Sequence, residues 1–138
     1  MEISAGILIV QQNRILLAHP TNAPWYGTYT IPKGKLEGDE NPLEAAWRET
    51  YEEVGVRISV EDIKNKKKPY IIEYKNQQGN IYKILYWFVA EPKKEVVIDK
   101  SRLQKREVNW AGFLDKDEAM SRIFWRFEEM IKYIKWNT

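Results

Sequence analysis

The stretch Gly34 to Val56, "GKLEGDENPLEAAWRETYEEVGV", constrains the chain more than any other part, because it carries both ends of a helix in its own residues. Asn41 is a strong N-cap type, Pro42 suits the first helical position and Glu44 completes a capping box with Asn41. Gly55 supplies a left-handed stop. At about 100° per residue, Leu43, Ala46, Trp47, Thr50 and Val54 fall on one stripe, and Glu49, Glu52 and Glu53 gather roughly 120° from its centre. The helix must therefore bury one face and aim its carboxylates sideways. Like charges at this spacing repel, so local stability does not select them. Arg48, four residues after Glu44 and four before Glu52, can brace the acidic edge, but a single guanidinium cannot neutralise all of it.

Around this helix the chain reads as short strands. "SAGILIV" (Ser4 to Val10) and "RILLAH" (Arg14 to His19) are apolar runs split by the polar turn "QQN", which predicts a buried hairpin. "TYTI" predicts a further short strand. "YIIEYK" and "IYKILYWFVA" flank "NQQGN", a second hairpin whose later strand is apolar enough to be central, and "EVNWAGFL" adds another strand. From Ser121, residues Ile123, Phe124, Phe127, Met130, Ile131 and Ile134 recur at helical spacing, which predicts a C-terminal amphipathic helix with Arg126, Glu129 and Lys132 on its wet side. Strands interspersed with two helices imply an α/β sandwich. With 138 residues, 43% of them hydrophobic, and no linker or repeat, residues 1–138 are expected to form one domain.

The charge balance narrows the classes of partner. Lys and Arg number 22 against 20 Asp and Glu, a net charge of +2, so no whole-molecule field calls for DNA or an anionic membrane. The absence of cysteine removes thiolate metal sites and cysteine nucleophiles. No apolar run reaches the ~18 residues of a membrane span and "MEISAGILIV" has no signal-peptide pattern, so a cytoplasmic location is expected. Three carboxylates on one helix, facing Lys33 and Gly34, suit a hard divalent cation with room for water and phosphate. A merely solvated acidic face is the alternative.

The spacing decides between the two. Gly34, five residues, Glu40, seven residues and "RETYEEVGV" from Arg48 to Val56 resemble the Nudix box of the Nudix hydrolases, with Thr50 in place of an aliphatic residue. Seven fixed identities at fixed offsets arise by chance less than about once in a million such chains. "AGILIV", "WYGTYTIPKG" and "NWAGF" extend the resemblance over most of the chain. It implies a Nudix-type α/β/α sandwich with a mixed central sheet, and Mg²⁺- or Mn²⁺-dependent hydrolysis of a nucleoside diphosphate linked to another moiety. By position, Glu52 and Glu53 are implied metal ligands, Glu49 a further ligand or the base, Arg48 a member of the catalytic set, and the main chain at Lys33 and Gly34 part of the metal shell. A distal glutamate found in many members falls here on Gln104, with Glu107 as its possible substitute.

"IPKG" before the helix resembles the diadenosine polyphosphate and diphosphoinositol polyphosphate branches, and Tyr74 lies 18 residues beyond Val56, where the diadenosine tetraphosphate branch has a tyrosine. The expected substrate is a dinucleoside polyphosphate, with Lys33 on phosphate and Trp25, Tyr26, Tyr74, Tyr82 and Tyr86 as candidate stacking surfaces. A nucleoside triphosphate or a capped or 5′-triphosphorylated RNA end comes second, a diphosphoinositol polyphosphate third. A catalytically silent nucleotide-binding module is the non-enzyme alternative, but such modules usually lose box glutamates. No obligate protein partner is inferable. "KNKKK" (Lys64 to Lys68) reads as a solvated loop and His19 as a structural histidine.

Overall fold

The computed structural model describes residues 1–137. Apolar runs buried on both faces make a central sheet of six strands: β1 (Glu2–Gln11), β2 (Arg14–Pro20), β3 (Lys33–Lys35), β4 (Tyr70–Lys75), β5 (Ile81–Ala90) and β6 (Val108–Leu114). The strand order is β4-β5-β1-β2-β6, with β3 also pairing with β1. The sheet is mixed: β1 and β5 run parallel from Glu2↔Lys83 to Ile9↔Ala90, and the other pairs are antiparallel. Both expected hairpins form. The first turns through Gln12 and Asn13, both at positive φ, and the second through Gly79. β1 and β2 part after Gln11↔Arg14 and Val10↔Ile15, which frees that edge of β1 to pair with β3, while β5 takes the other edge.

Helix α1 (Pro42–Val54) begins and ends as its residues dictate: the capping box between Asn41 and Glu44 is complete, and Gly55 sits in the left-handed region at φ 73°. Its buried side meets Ala5, Ile7, Ile9, Leu16 and Phe88 on one face of the sheet. Thr50 is buried on that side and returns its hydroxyl to the Ala46 carbonyl at 2.8 Å. Leu8, Ile15, Leu17 and Trp87 project from the opposite face onto the C-terminal segment. These layers make the expected α/β/α sandwich.

Three local expectations change. "TYTI" forms only isolated bridges, Tyr29 to Ile123 and Thr30 to Ala18, while the strand that follows it is β3, three residues that no apolar pattern marks. The C-terminal helix expected from Ser121 is broken, and the helical structure begins before that residue. α2 (Lys116–Arg122) starts at an Asp115 cap, the chain turns extended at Ile123, and after a 3₁₀ turn at Trp125–Phe127 it resumes as α3 (Glu128–Tyr133). The break has a tertiary cause: the Arg122 carbonyl accepts from the amides of Thr28 and Tyr29, and the Phe124 amide donates to the Tyr29 carbonyl. Ile123, Phe127, Met130 and Ile131 are nonetheless buried, so the apolar pattern identified the buried residues and misjudged the continuity of the backbone.

Candidate active site

The box carboxylates open onto a cleft of about 460 Å³ at one edge of β1, between α1, β3 and the loop before β6. Glu53 is only 8% exposed, and its Oε1 accepts the Lys33 backbone N–H at 3.2 Å. Burial first, then the charge of Glu49, pushes its carboxyl up to about 8. The Glu49 carboxyl is also raised, chiefly by burial. A Cβ on Gly34 would run into the Glu49 carboxyl, so any larger residue there would displace that carboxylate from its place beside β3.

Arg48 braces the acidic edge more widely than its i±4 positions suggest. Its guanidinium bonds Glu40 at 2.7 and 3.0 Å, Glu49 at 2.8 Å, Glu52 at 3.1 Å and the Lys35 carbonyl at 3.0 Å. Glu44 is not among its partners, because that carboxylate is committed to the capping box. By holding Glu49 and Glu52, Arg48 also alters the expected geometry. The three carboxylates share one cleft, but among the described residues no three acidic or histidine side chains meet closely enough to grip an ion as they stand.

The donors still suit a hard divalent cation. They are all oxygen, one lies buried with its carboxyl driven towards protonation first by burial and then by a neighbouring carboxylate, and the absent Cβ at Gly34 leaves the Glu49 carboxyl space beside the main chain. On the far wall Gln104 and Glu107 both line the cleft. The Gln104 backbone N–H donates to the Glu53 backbone carbonyl at 2.9 Å, and the charge of Glu107 adds to the pressure on the Glu53 carboxyl. Glu107 thus presents a carboxylate to the cleft across from the box glutamates.

The opposite wall carries the cations Lys33, Lys35 and Lys83. Glu2 bridges two of them, at 3.2 Å to Lys35 and 2.8 Å to Lys83. Glu2 and Lys83 escaped the sequence reading because the parallel register of β1 on β5 brings them together, and no local pattern announces that register. Lys33 places its amine 5.9 Å from the Phe127 ring centre, and burial lowers its pKa.

The aromatic candidates do not gather here; among the described residues the cleft lining contains no aromatic ring. Tyr74 is 7% exposed, with Arg126 4.6 Å and Lys83 5.0 Å from its ring centre, so cations and core occupy the surfaces a base would use. Burial pushes its hydroxyl up to about 12. Tyr86 packs towards the α1 side of the sheet. Trp25 is exposed, but one face of its indole stacks on His19 at 3.7 Å and 5°. His19 is structural, with its ring nitrogens 2.6 Å from Asn109 Oδ1 and 3.0 Å from the Pro24 carbonyl. Lys64 and Lys66 to Lys68 are exposed and lie outside the cleft.

The family model described as the NUDIX domain matches residues 2–136. The chain belongs to the Nudix hydrolase family. Members of the family generally use divalent ions such as Mg²⁺ or Mn²⁺. A methanol dehydrogenase activator from Bacillus methanolicus is 30% identical over 132 residues, 95% of this Nudix chain and 61% of that protein, so the chain spans less than two thirds of that relative. A MutT Nudix hydrolase from Burkholderia pseudomallei has the same fold, with a TM-score of 0.74 at 18% identity over 97% of this chain and 98% of that one. An Ap4A hydrolase from C. elegans superposes with a TM-score of 0.67 at 19% identity, over 97% and 100% of the two chains. Among the described residues no helix of this Nudix protein is long and apolar enough to cross a membrane.

Proposed function

We propose that this Nudix chain hydrolyses a phosphoanhydride bond in a nucleoside diphosphate linked to another moiety, and that its substrate is a dinucleoside polyphosphate such as diadenosine tetraphosphate. The observation that carries the reading is the three helix glutamates of the box in one cleft: Glu49, Glu52 and Glu53 share it with Lys33, Lys35 and Lys83, around a space that suits a chain of phosphates. Glu52 and Glu53, with the Gly34 carbonyl and either Glu49 or Glu107, would hold Mg²⁺ or Mn²⁺. When bound, such an ion acidifies water and absorbs charge on the phosphoryl oxygens during in-line displacement. Glu49 or Glu107 accepts the proton of the attacking water; both lie within the same cleft as Glu53. Arg48 orients Glu49 and Glu52, and the Lys33 N–H fixes Glu53. The lysines position the polyphosphate as point charges.

The aromatic-free lining favours a second reading, a nucleoside triphosphate or a 5′-triphosphorylated RNA end, since either presents phosphate to the cleft without a second base inside it. A hydrolysis panel of diadenosine tetraphosphate, ATP, ADP-ribose and 5′-triphosphorylated RNA, each with Mg²⁺ and with Mn²⁺, tests the choice. The expected result is the highest kcat/KM for diadenosine tetraphosphate. A higher value for ATP or the RNA replaces the substrate assignment, and hydrolysis of none of them removes the activity.

A further inference from the structure

A dinucleotide has a second base, and among the described residues the cleft lining holds no ring to receive it. Two lines of contact lead out of the cleft across the face opposite α1, and both end at the same place. Along the first, Glu2 pairs with Lys83, whose amine lies over the Tyr74 ring at 5.0 Å. Along the second, the Lys33 amine approaches Phe127 at 5.9 Å, and Phe127 meets Tyr74 edge-on with ring centres 6.5 Å apart. Arg126 then spans Tyr74 and Trp125, its guanidinium carbon 4.6 Å and 4.5 Å from the two ring centres, and it donates to the Tyr82 hydroxyl at 3.4 Å. Among the described residues no carboxylate lies within ion-pair distance of Arg126.

Trp125 is 63% exposed although it adjoins a buried aromatic layer, and Tyr82, which accepts from Arg126, is 49% exposed. Arg126 occupies one face of the indole, Phe124 meets it at a tilted 51°, and the remaining surface is open to solvent. Trp125, in the 3₁₀ turn that follows the break at Ile123, lies on the solvent side that helical spacing also gives Glu129 and Lys132. An exposed indole backed by an unpaired guanidinium, reached from the cleft past Lys83, has the chemistry of a stacking platform at the end of a polyphosphate track.

We infer that Trp125, held by Arg126, stacks the second, distal purine base of the dinucleoside polyphosphate, with Lys83 on the phosphates between the cleft and that base. The inference rests on the dinucleoside polyphosphate reading above. It moves the stacking role from Tyr74, whose ring is enclosed, to the ring on the outer side of the same guanidinium. Stacking on an aromatic side chain is sequence-tolerant, so the platform discriminates between one base and two more than between adenine and guanine.

Diadenosine tetraphosphate and adenosine 5′-tetraphosphate share the phosphate chain and differ by the second nucleoside, which makes them the matched probes. In Trp125→Ala, kcat/KM for diadenosine tetraphosphate should fall on the order of tenfold or more, and at least about fivefold further than for adenosine 5′-tetraphosphate. The loss should appear in KM more than in kcat, and Trp125→Phe should restore most of it. Calorimetric titration with methylene-bridged, non-hydrolysable forms of the two probes should show the same differential in affinity. Equal losses for both probes, or none, overturn the platform. A larger loss with 5′-triphosphorylated RNA also overturns it, in favour of a strand crossing Trp125. If the wild type hydrolyses no dinucleotide, the proposed function fails, and the calorimetric differential still decides whether Trp125 holds a second base.

Discussion

Glu53 joins the two halves of the site, since it comes from the box helix yet is buried against the backbone of β3. Glu53→Gln keeps the shape and removes the charge, so turnover at saturating Mg²⁺ should drop on the order of 10³-fold while the far-ultraviolet circular dichroism stays that of the wild type. Near-normal turnover would remove Glu53 from the catalytic set. The same carboxyl gives the metal-free protein a pH signature. Its folded pKa of about 8 lies above the ordinary 4.5, so the fold favours the protonated form. Its contribution is complete below pH 4.5 and is lost as pH rises through about 8, because the unfolded carboxyl ionises first and the folded one resists. Urea denaturation in EDTA at pH 5, 7 and 9 should show stability falling across that window, with a shallower fall in Glu53→Gln. Identical slopes would place Glu53 in an environment as polar as water.

Helix α1 is held at its ends by caps and along its acidic edge by Arg48, whose bonds reach Glu40 before the helix as well as Glu49 and Glu52 within it. Glu40 is thereby drawn well below the ordinary carboxylate range, first of all by its hydrogen bond to Arg48. Removing the guanidinium leaves several half-buried carboxylates repelling one another, so Arg48→Ala should destabilise the metal-free protein by about 1–3 kcal/mol. Added Mg²⁺ takes over part of the neutralisation and should shrink that deficit. Denaturation midpoints with and without Mg²⁺ measure both quantities, and a deficit unchanged by Mg²⁺ would mean that Arg48 acts only on Glu40 and the Lys35 carbonyl.

Across the whole molecule, the sheet separates two cores, one under α1 and one under the broken C-terminal segment, and Phe127 joins the second to the cleft through Lys33 and Tyr74. Phe127 is 2% exposed, so Phe127→Ala should lower stability by about 3–5 kcal/mol, measured by urea denaturation. A loss under about 1 kcal/mol would mean that the C-terminal segment is loosely held.

The sequence by itself determined whatever depends on neighbours along the chain. α1 was readable to its caps because Asn41, Pro42, Glu44 and Gly55 act locally, and the box glutamates fell on one helix edge because helical phase is fixed by spacing. The apolar runs likewise marked the strands of both hairpins and the buried residues of the C-terminal segment. Tertiary structure decided everything that depends on partners distant in sequence. The β1–β5 register brought Glu2 to Lys83, and the loop before β6 brought Glu107 to face Glu53. The Tyr29 backbone broke the C-terminal helix at Ile123, because hydrogen bonds to Arg122 and Phe124 satisfied those backbone groups in place of a helical turn. Burial was the deciding term for Tyr74: read as a letter it looks able to stack a base, and only packing encloses its ring.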